Sequence, residues 1–134
     1  MKKSILLLCF ACSVAVTTLQ AQTPADSITV VSNPEKKAEF KGGVNGWIRF
    51  LESTLDRNLL EKNNAPSGSY RVIGNFIVDR DGSVKDIRIE EDPGYGAADE
   101  YKRVLLLSSK KWIPASDKGI AVAYRHKQSL TLIR

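Results

Sequence analysis

The sequence predicts an α+β domain: a three-stranded antiparallel sheet, built from a hairpin and a C-terminal strand, with two helices on one face in the order α-β-β-α-β. Three observations predict it. Apolar residues recur at helical spacing from Val44, they alternate with polar ones around an Asp-Gly turn near position 81, and they alternate again at the C-terminus.

The first element is an amphipathic helix. Val44, Trp47, Ile48, Leu51, Leu55 and Leu59 follow the three-and-four spacing of one buried face, and Arg49, Glu52, Asp56 and Arg57 fall opposite. Gly42-Gly43 precede it and Asn63-Asn64-Ala65-Pro66 end it. The period then changes to two. Tyr70, Val72, Phe76 and Val78 point one way, and Arg71, Asn75 and Asp79 the other. Asp79-Arg80-Asp81-Gly82 makes the turn, because Asp tolerates tight local conformations and Gly82 supplies a positive φ. The return strand runs from Val84 to Glu91 with Ile87 and Ile89 on one face. Val84 is out of phase with them, so either a bulge sits near Lys85-Asp86 or Val84 packs at the hairpin end.

Pro93-Gly94-Tyr95-Gly96 breaks this strand, and Asp99 is the expected N-cap of a second helix. Ala98, Tyr101, Val104, Leu105 and Ser108 mark its buried stripe, which Leu106 and Leu107 widen before Trp112-Ile113-Pro114 closes the segment. Ile120, Val122, Tyr124, Leu130 and Leu132 then share one face of a long strand that runs to the C-terminus. Ala121, Ala123, Arg125, Lys127, Ser129 and Thr131 form its other, outward face.

The N-terminus carries a different signal. Lys2 and Lys3, an apolar run from Ile5 to Val16, and Leu19-Gln20-Ala21 have the order of a secretory signal peptide, expected to be cut after Ala21. The apolar run is shorter than the ~20 residues of a membrane-spanning helix. An uncleaved inner-membrane anchor and a lipoprotein attached at Cys12 are the alternatives. The expected divisions are a signal peptide at 1–21, an extended leader at 22–37 that docks one short strand from Ile28 to Val31, and a single domain at 38–134. Cleavage removes both Cys9 and Cys12, leaving no thiol for a disulfide, a metal or a nucleophile. The formal charge of +5 falls by two with Lys2 and Lys3, to about +3, and the remaining charges alternate in sign. Such a surface does not build a phosphate-tracking stripe, so nucleic acid is not an expected partner.

Side chains able to do chemistry are few. Asp79 and Asp81 start like a calcium loop, but Gly82 arrives too early for that signature, so a tight turn is expected rather than a metal site. Glu90, Glu91 and Asp92 are neighbours in a strand end, where alternate carboxylates point to opposite faces and do not converge. His126 is the single histidine and lies mid-strand without an evident nucleophile or co-ligand. Trp47, Trp112 and Tyr124 read as core aromatics. No nucleophile elbow, phosphate loop or dinucleotide fingerprint occurs, so neither an enzyme, a cofactor nor a small-molecule substrate is expected. What remains is the last strand. At a sheet edge its unpaired backbone groups can take up an extended peptide as one more strand.

The chain resembles the C-terminal domain of TonB, in the form found in energy transducers of Bacteroidetes. The residues that carry the resemblance are Ala38-Glu39-Phe40-Lys41-Gly42-Gly43, Phe50-Leu51, Asp81-Gly82-Ser83-Val84, Asp99-Glu100, Lys111-Trp112-Ile113-Pro114 and Gly119, with Ile28-Thr29-Val30-Val31 as a leader strand. A Tyr-Pro pair usual after the first helix is replaced here by Leu59-Leu60-Glu61-Lys62 and a later Pro66. The resemblance implies a periplasmic binding module that pairs with the TonB box, a short N-terminal segment of outer-membrane receptors, through the outward-face residues of its last strand. Transducers of the family also carry an uncleaved anchor and a long Pro-rich spacer, for which Gln22 to Lys37 is too short. The expectation therefore stops at binding. The alternative is a secreted structural or adaptor domain that forms a homodimer through the same edge.

Overall fold

The computed structural model describes residues 27–134, so the expected signal peptide lies outside the described residues. The chain folds as an α+β layer. The elements run β1 (Glu39–Phe40), α1 (Gly43–Thr54), α2 (Leu59–Lys62), β2 (Ser69–Val78), β3 (Val84–Glu91), α3 (Ala97–Leu107), β4 (Trp112–Ile113), β5 (Ala115–Asp117), β6 (Ile120–Val122) and β7 (Tyr124–Ile133). The main sheet is antiparallel with the order β3-β2-β7, so the hairpin and the C-terminal strand pair as the patterning predicts. Two small antiparallel pairs, β1-β4 and β5-β6, complete the strand set.

The core follows the alternation of β2. Val72, Phe76 and Val78 are fully buried together with Tyr101, Val104 and Leu105 of α3. β7 adds Leu130 and Leu132 to this face, directly opposite Val72 and Tyr70. Near the start of β7 the interior becomes aromatic. Trp112 meets Phe40 at 5.4 Å, Trp47 at 5.6 Å and Phe76 at 5.1 Å between ring centroids. Edge-to-face and tilted pairs of this kind contribute beyond their buried area. Gly82 lies against this cluster: a Cβ there would come within 2.4 Å of the Trp112 carbonyl oxygen, and its φ of +80° suits glycine. The hairpin turn and the segment after α3, separate in sequence, are one packing unit.

The out-of-phase Val84 is explained by both expected devices. The register of β2 and β3 shifts between Asn75 and Ile77, Asp86 adopts φ +45°, and Val84 is buried at the hairpin end.

Four details differ from the sequence expectation. The first helix stops at Thr54, since Leu55 turns extended, and the chain recoils as α2. No glycine or proline marks the break; partners from α3 hold it instead. The Glu100 carboxylate accepts the Asp56 N–H at 2.8 Å, and the Arg103 guanidinium donates to the Thr54 carbonyl at 2.7 Å. The second helix starts with Gly96 as its N-cap in a left-handed conformation, not with Asp99, which lies inside the first turn. Leu106 and Leu107 do not widen the buried stripe, because α3 rests on the sheet along the row from Ala98 to Ser108 and turns both leucines to the surface. Finally, the long C-terminal strand is two strands. Lys118 and Gly119 both take positive φ, the two-residue turn that twists with a hairpin, so Ile120 to Val122 fold back on Ala115 to Asp117 and Ile120 is exposed.

Candidate functional site

The site is the free side of β7. Gly68 and Arg134 exchange both backbone hydrogen bonds, at 3.2 and 3.0 Å, and the β2-β7 register then runs without a shift from Ser69↔Ile133 to Val78↔Tyr124. In an antiparallel ladder such doubly bonded pairs alternate with unbonded ones. The even-numbered residues of β7 therefore spend their backbone groups on β2. The N–H and C=O groups of Arg125, Lys127, Ser129, Thr131 and Ile133 point away from the sheet. Ala123 shows the same phase: its carbonyl points outward and accepts the Val31 N–H at 2.9 Å, and Val30 forms a parallel bridge with it. The leader thus touches this edge through one isolated parallel bridge at Val30, not as the short strand expected from Ile28 to Val31.

The outward-face side chains separate into two groups. Ala121 belongs to β6 and is paired with Ser116, and Ala123 is only 1% exposed beneath the leader. Neither offers an open side chain, because the strand is interrupted there. Arg125, Lys127, Ser129 and Thr131 lie on β7 and share the sheet face away from the helices. Arg125 donates to the Asn75 side-chain oxygen at 2.7 Å and forms an ion pair with Asp86, which also pairs with Arg88 at 2.8 Å. Lys127 pairs with Glu90, whose other oxygen accepts from the Asn75 amide at 2.7 Å. The Arg125 and Arg88 hydrogen bonds hold the Asp86 carboxyl below the usual carboxylate range; Lys127 and Asn75 do the same for Glu90. Ser129 and Thr131 are exposed.

The other flank of the edge is α1, and here the expected buried face is corrected. Trp47 is buried, but Val44 is 75% and Ile48 46% exposed, with Leu51 and Leu55 half-buried. The helix lies beside β7, so the Trp47 side of its apolar face enters the core while the Val44 and Ile48 side overhangs the sheet edge. Three clefts line this seam. The first, about 190 Å³, is bounded by Val44, Trp47, His126 and Gln128. The next, about 300 Å³, lies between Ile48, Leu51, Leu55 and Leu130, and the last, about 380 Å³, between Leu55, Leu60, Leu132 and Ile133.

His126 stands at the inner wall of the first cleft. It is half-buried, 5.5 Å from Phe76 and 5.1 Å from Trp112 between ring centroids, with Tyr124 at 6.2 Å and its Nε2 3.2 Å from the Gln128 side-chain oxygen. Burial lowers its pKa below the ordinary 6.5; the Gln128 contact opposes that shift and the Lys37 charge adds to it. The unfolded chain then binds a proton at about pH 6.5 that the folded one refuses, so stability falls as pH drops through that value. The carboxylates act in a lower window: Asp79, Asp86, Glu90 and Glu100 are lowered by their cationic partners, so their contribution is lost only as pH falls below about 4. Urea midpoints of the parent should decrease between about pH 7 and 5, and His126→Gln should flatten that interval. Equal slopes for the two proteins would dismiss His126 as the source.

Asp79 and Asp81 occupy the hairpin turn. Asp79 pairs with Lys85 at 2.5 Å; Asp81 pairs with Lys110 and accepts the Ser83 N–H at 2.9 Å. These side chains knit the turn to its surroundings. Among the described residues no group of three or more His, Cys, Asp or Glu is placed to hold a metal ion.

Sequence reasoning missed two parts of the site. Helical periodicity puts Val44 and Ile48 on the buried face because it reports a face and not what covers it. The outward phase of the odd-numbered backbone groups depends on the Gly68–Arg134 pair, which no side-chain pattern encodes. Among the described residues, the class that the architecture defines is an α+β layered domain whose sheet ends in two edge strands, β3 and β7, of which β7 is the longer and is flanked by an apolar helix face. Comparison with protein-family models, curated proteins and solved structures found no match.

Proposed function

We propose that this chain is a TonB C-terminal-like binding module of the periplasm, which takes up a short N-terminal segment of an outer-membrane TonB-dependent receptor as an additional strand on β7. The observation that carries the reading is the outward row of backbone groups from Arg125 to Ile133. An extended chain satisfies such a row, whereas a helix, whose own backbone bonds are internal, does not. The motif series from Ala38 to Gly119 and the export signal at 1–21 support the same reading. No helix among the described residues is long and apolar enough to cross a membrane.

The test uses the phase of the edge. Ser129→Pro deletes an outward N–H and leaves the ladder to β2 intact, a position where an edge strand tolerates proline. It is expected to cost less than about 1.5 kcal/mol of stability and to weaken a receptor N-terminal peptide tenfold or more. Leu130→Pro deletes an inward N–H and should cost about 3 kcal/mol. With the parent domain, backbone amides of the odd-numbered β7 residues should shift on titration, with a Kd of roughly 10–1000 µM. Unmoved β7 amides at millimolar peptide would sink the proposal. So would a concentration-dependent dimer that uses this edge and ignores the peptide, which is the outcome of the homodimer alternative.

A further inference from the structure

We infer that the seam between α1 and β7 selects its ligand by side-chain pattern: an extended segment with three apolar residues at alternate positions, facing α1, and uncharged polar residues between them. This rests on strand addition at β7 and specifies what is added there.

The edge already accepts extended chain. Val30 and Val31 occupy it at Ala123, and the seam begins where that contact ends. A strand placed beyond it has two faces. One looks at the helix side, toward Val44, Ile48, Leu51 and Leu55, all apolar and incompletely covered by the described residues. The rise from Val44 to Leu55 is about 16 Å at ~1.5 Å per residue. Same-face side chains of a strand repeat every ~6.7 Å, so this length holds three of them. Three clefts lie along it, in the order of β7 from Gln128 through Leu130 to Leu132. The helix runs in the same direction as β7, so the first two clefts lie between α1 and inward residues of the strand, and the third lies just past the helix end, between Leu55, Leu60 of α2 and Leu132.

The other face of the added strand looks over Arg125, Lys127, Ser129 and Thr131. Asp86 and Glu90 already meet the charges of Arg125 and Lys127. A charged residue on the ligand would gain little there, since such exposed pairs contribute roughly 0–1 kcal/mol and compete with partners in place. A polar, uncharged residue fits without displacing them. Burial of three valine-sized side chains on the helix side supplies the preference.

Three peptides of about seven residues separate this inference from the reading beneath it. One alternates valine with serine. The second has the same composition with the valines in a block. The third is the alternating peptide with alternate backbone nitrogens methylated on its edge-pairing side. Binding to the full domain is followed by fluorescence anisotropy and amide shifts. The alternating peptide is expected to bind about tenfold more tightly than the block isomer. Val44→Ser with Ile48→Ser, both at exposed positions, should shrink that difference severalfold while odd-numbered β7 amides still shift. Alternating and block peptides of equal affinity, or indifference to the double variant, overturn the pattern; if the methylated peptide still fails to bind, strand addition itself survives. Undiminished binding of the methylated peptide overturns both.

Discussion

Replacing Trp112 by alanine is expected to remove about 3–5 kcal/mol of stability, the range for truncating a buried tryptophan. A domain of this size has ~5–15 kcal/mol in total, so the variant should be partly unfolded at 37 °C and show a greatly reduced urea midpoint with little change in slope. The magnitude follows from what the indole touches. Trp112 is 3% exposed and packs against Phe40, Trp47, Phe76 and His126, which come from β1, α1, β2 and β7. Its Nε1 donates to the Ser108 hydroxyl at 3.0 Å, and that hydroxyl donates to the Leu105 carbonyl at 2.6 Å. Its backbone adjoins Gly82 of the hairpin turn. Alanine leaves a void that all these elements share and none can fill alone. Trp112→Phe keeps most of the ring contact and leaves Ser108 bonded to Leu105, so about 1–2 kcal/mol is expected. The alanine variant should also raise hydrogen exchange along β7 near His126 before global unfolding. A Trp112→Ala loss below about 1 kcal/mol would show that the aromatic cluster is not the joint between the sheet edge and the rest of the domain.

Most of the layer was legible because its signals are local. The two-residue alternation on both sides of Asp81-Gly82 specifies a hairpin, and the misfit of Val84 pointed to the irregularity now seen at Asp86. The helix break at Leu55 was not legible, since the groups that satisfy it, Glu100 and Arg103, come from a distant helix. The β5-β6 hairpin had a visible signal in Lys118-Gly119, a two-residue turn with glycine second. A run of alternating apolar residues from Ile120 to Leu132 concealed it, because the register of a long strand and that of two short ones look alike in sequence. For the site, the last strand was placed at an edge correctly, and four of its six named side chains lie on the open face. Ala121 and Ala123 do not, as the leader and the small hairpin take the strand's first residues. The apolar flank was hidden for a general reason. A helix that overhangs a sheet edge has the same periodicity as one that lies over its centre, and only the position of β7 distinguishes them.

The second large effect is expected at Gly74, in the middle of the central strand. A Cβ there would come within 2.7 Å of the Tyr101 ring and 2.9 Å of the Arg88 carbonyl oxygen. Glycine in a strand interior weakens the strand by itself, and it is kept where another group approaches closely. Here the approaching group is the Tyr101 ring, which crosses over Gly74 so that its hydroxyl donates to the Gln128 carbonyl of β7 at 2.9 Å. Burial raises the phenol's pKa further above its normal 10, so this donor keeps its proton throughout the physiological range. Gly74→Ala should therefore cost about 1–3 kcal/mol, and Gly74→Val more, despite the better strand propensity of both residues. Part of the cost can be relieved and part cannot. In a Tyr101→Leu background the ring is gone, so the added cost of Gly74→Ala should shrink by ~1 kcal/mol, the non-additivity expected of touching residues. The Arg88 carbonyl is backbone and is removed by no substitution, so the remainder should persist in every background. Because Tyr101 ties α3 to the strand that carries the proposed binding edge, Gly74→Ala should also weaken peptide uptake at β7 more than an equally destabilising change at Val84, which is buried at the hairpin end and lines none of the three clefts. Equal losses at the two positions would place the effect in global stability rather than in the alignment of β7.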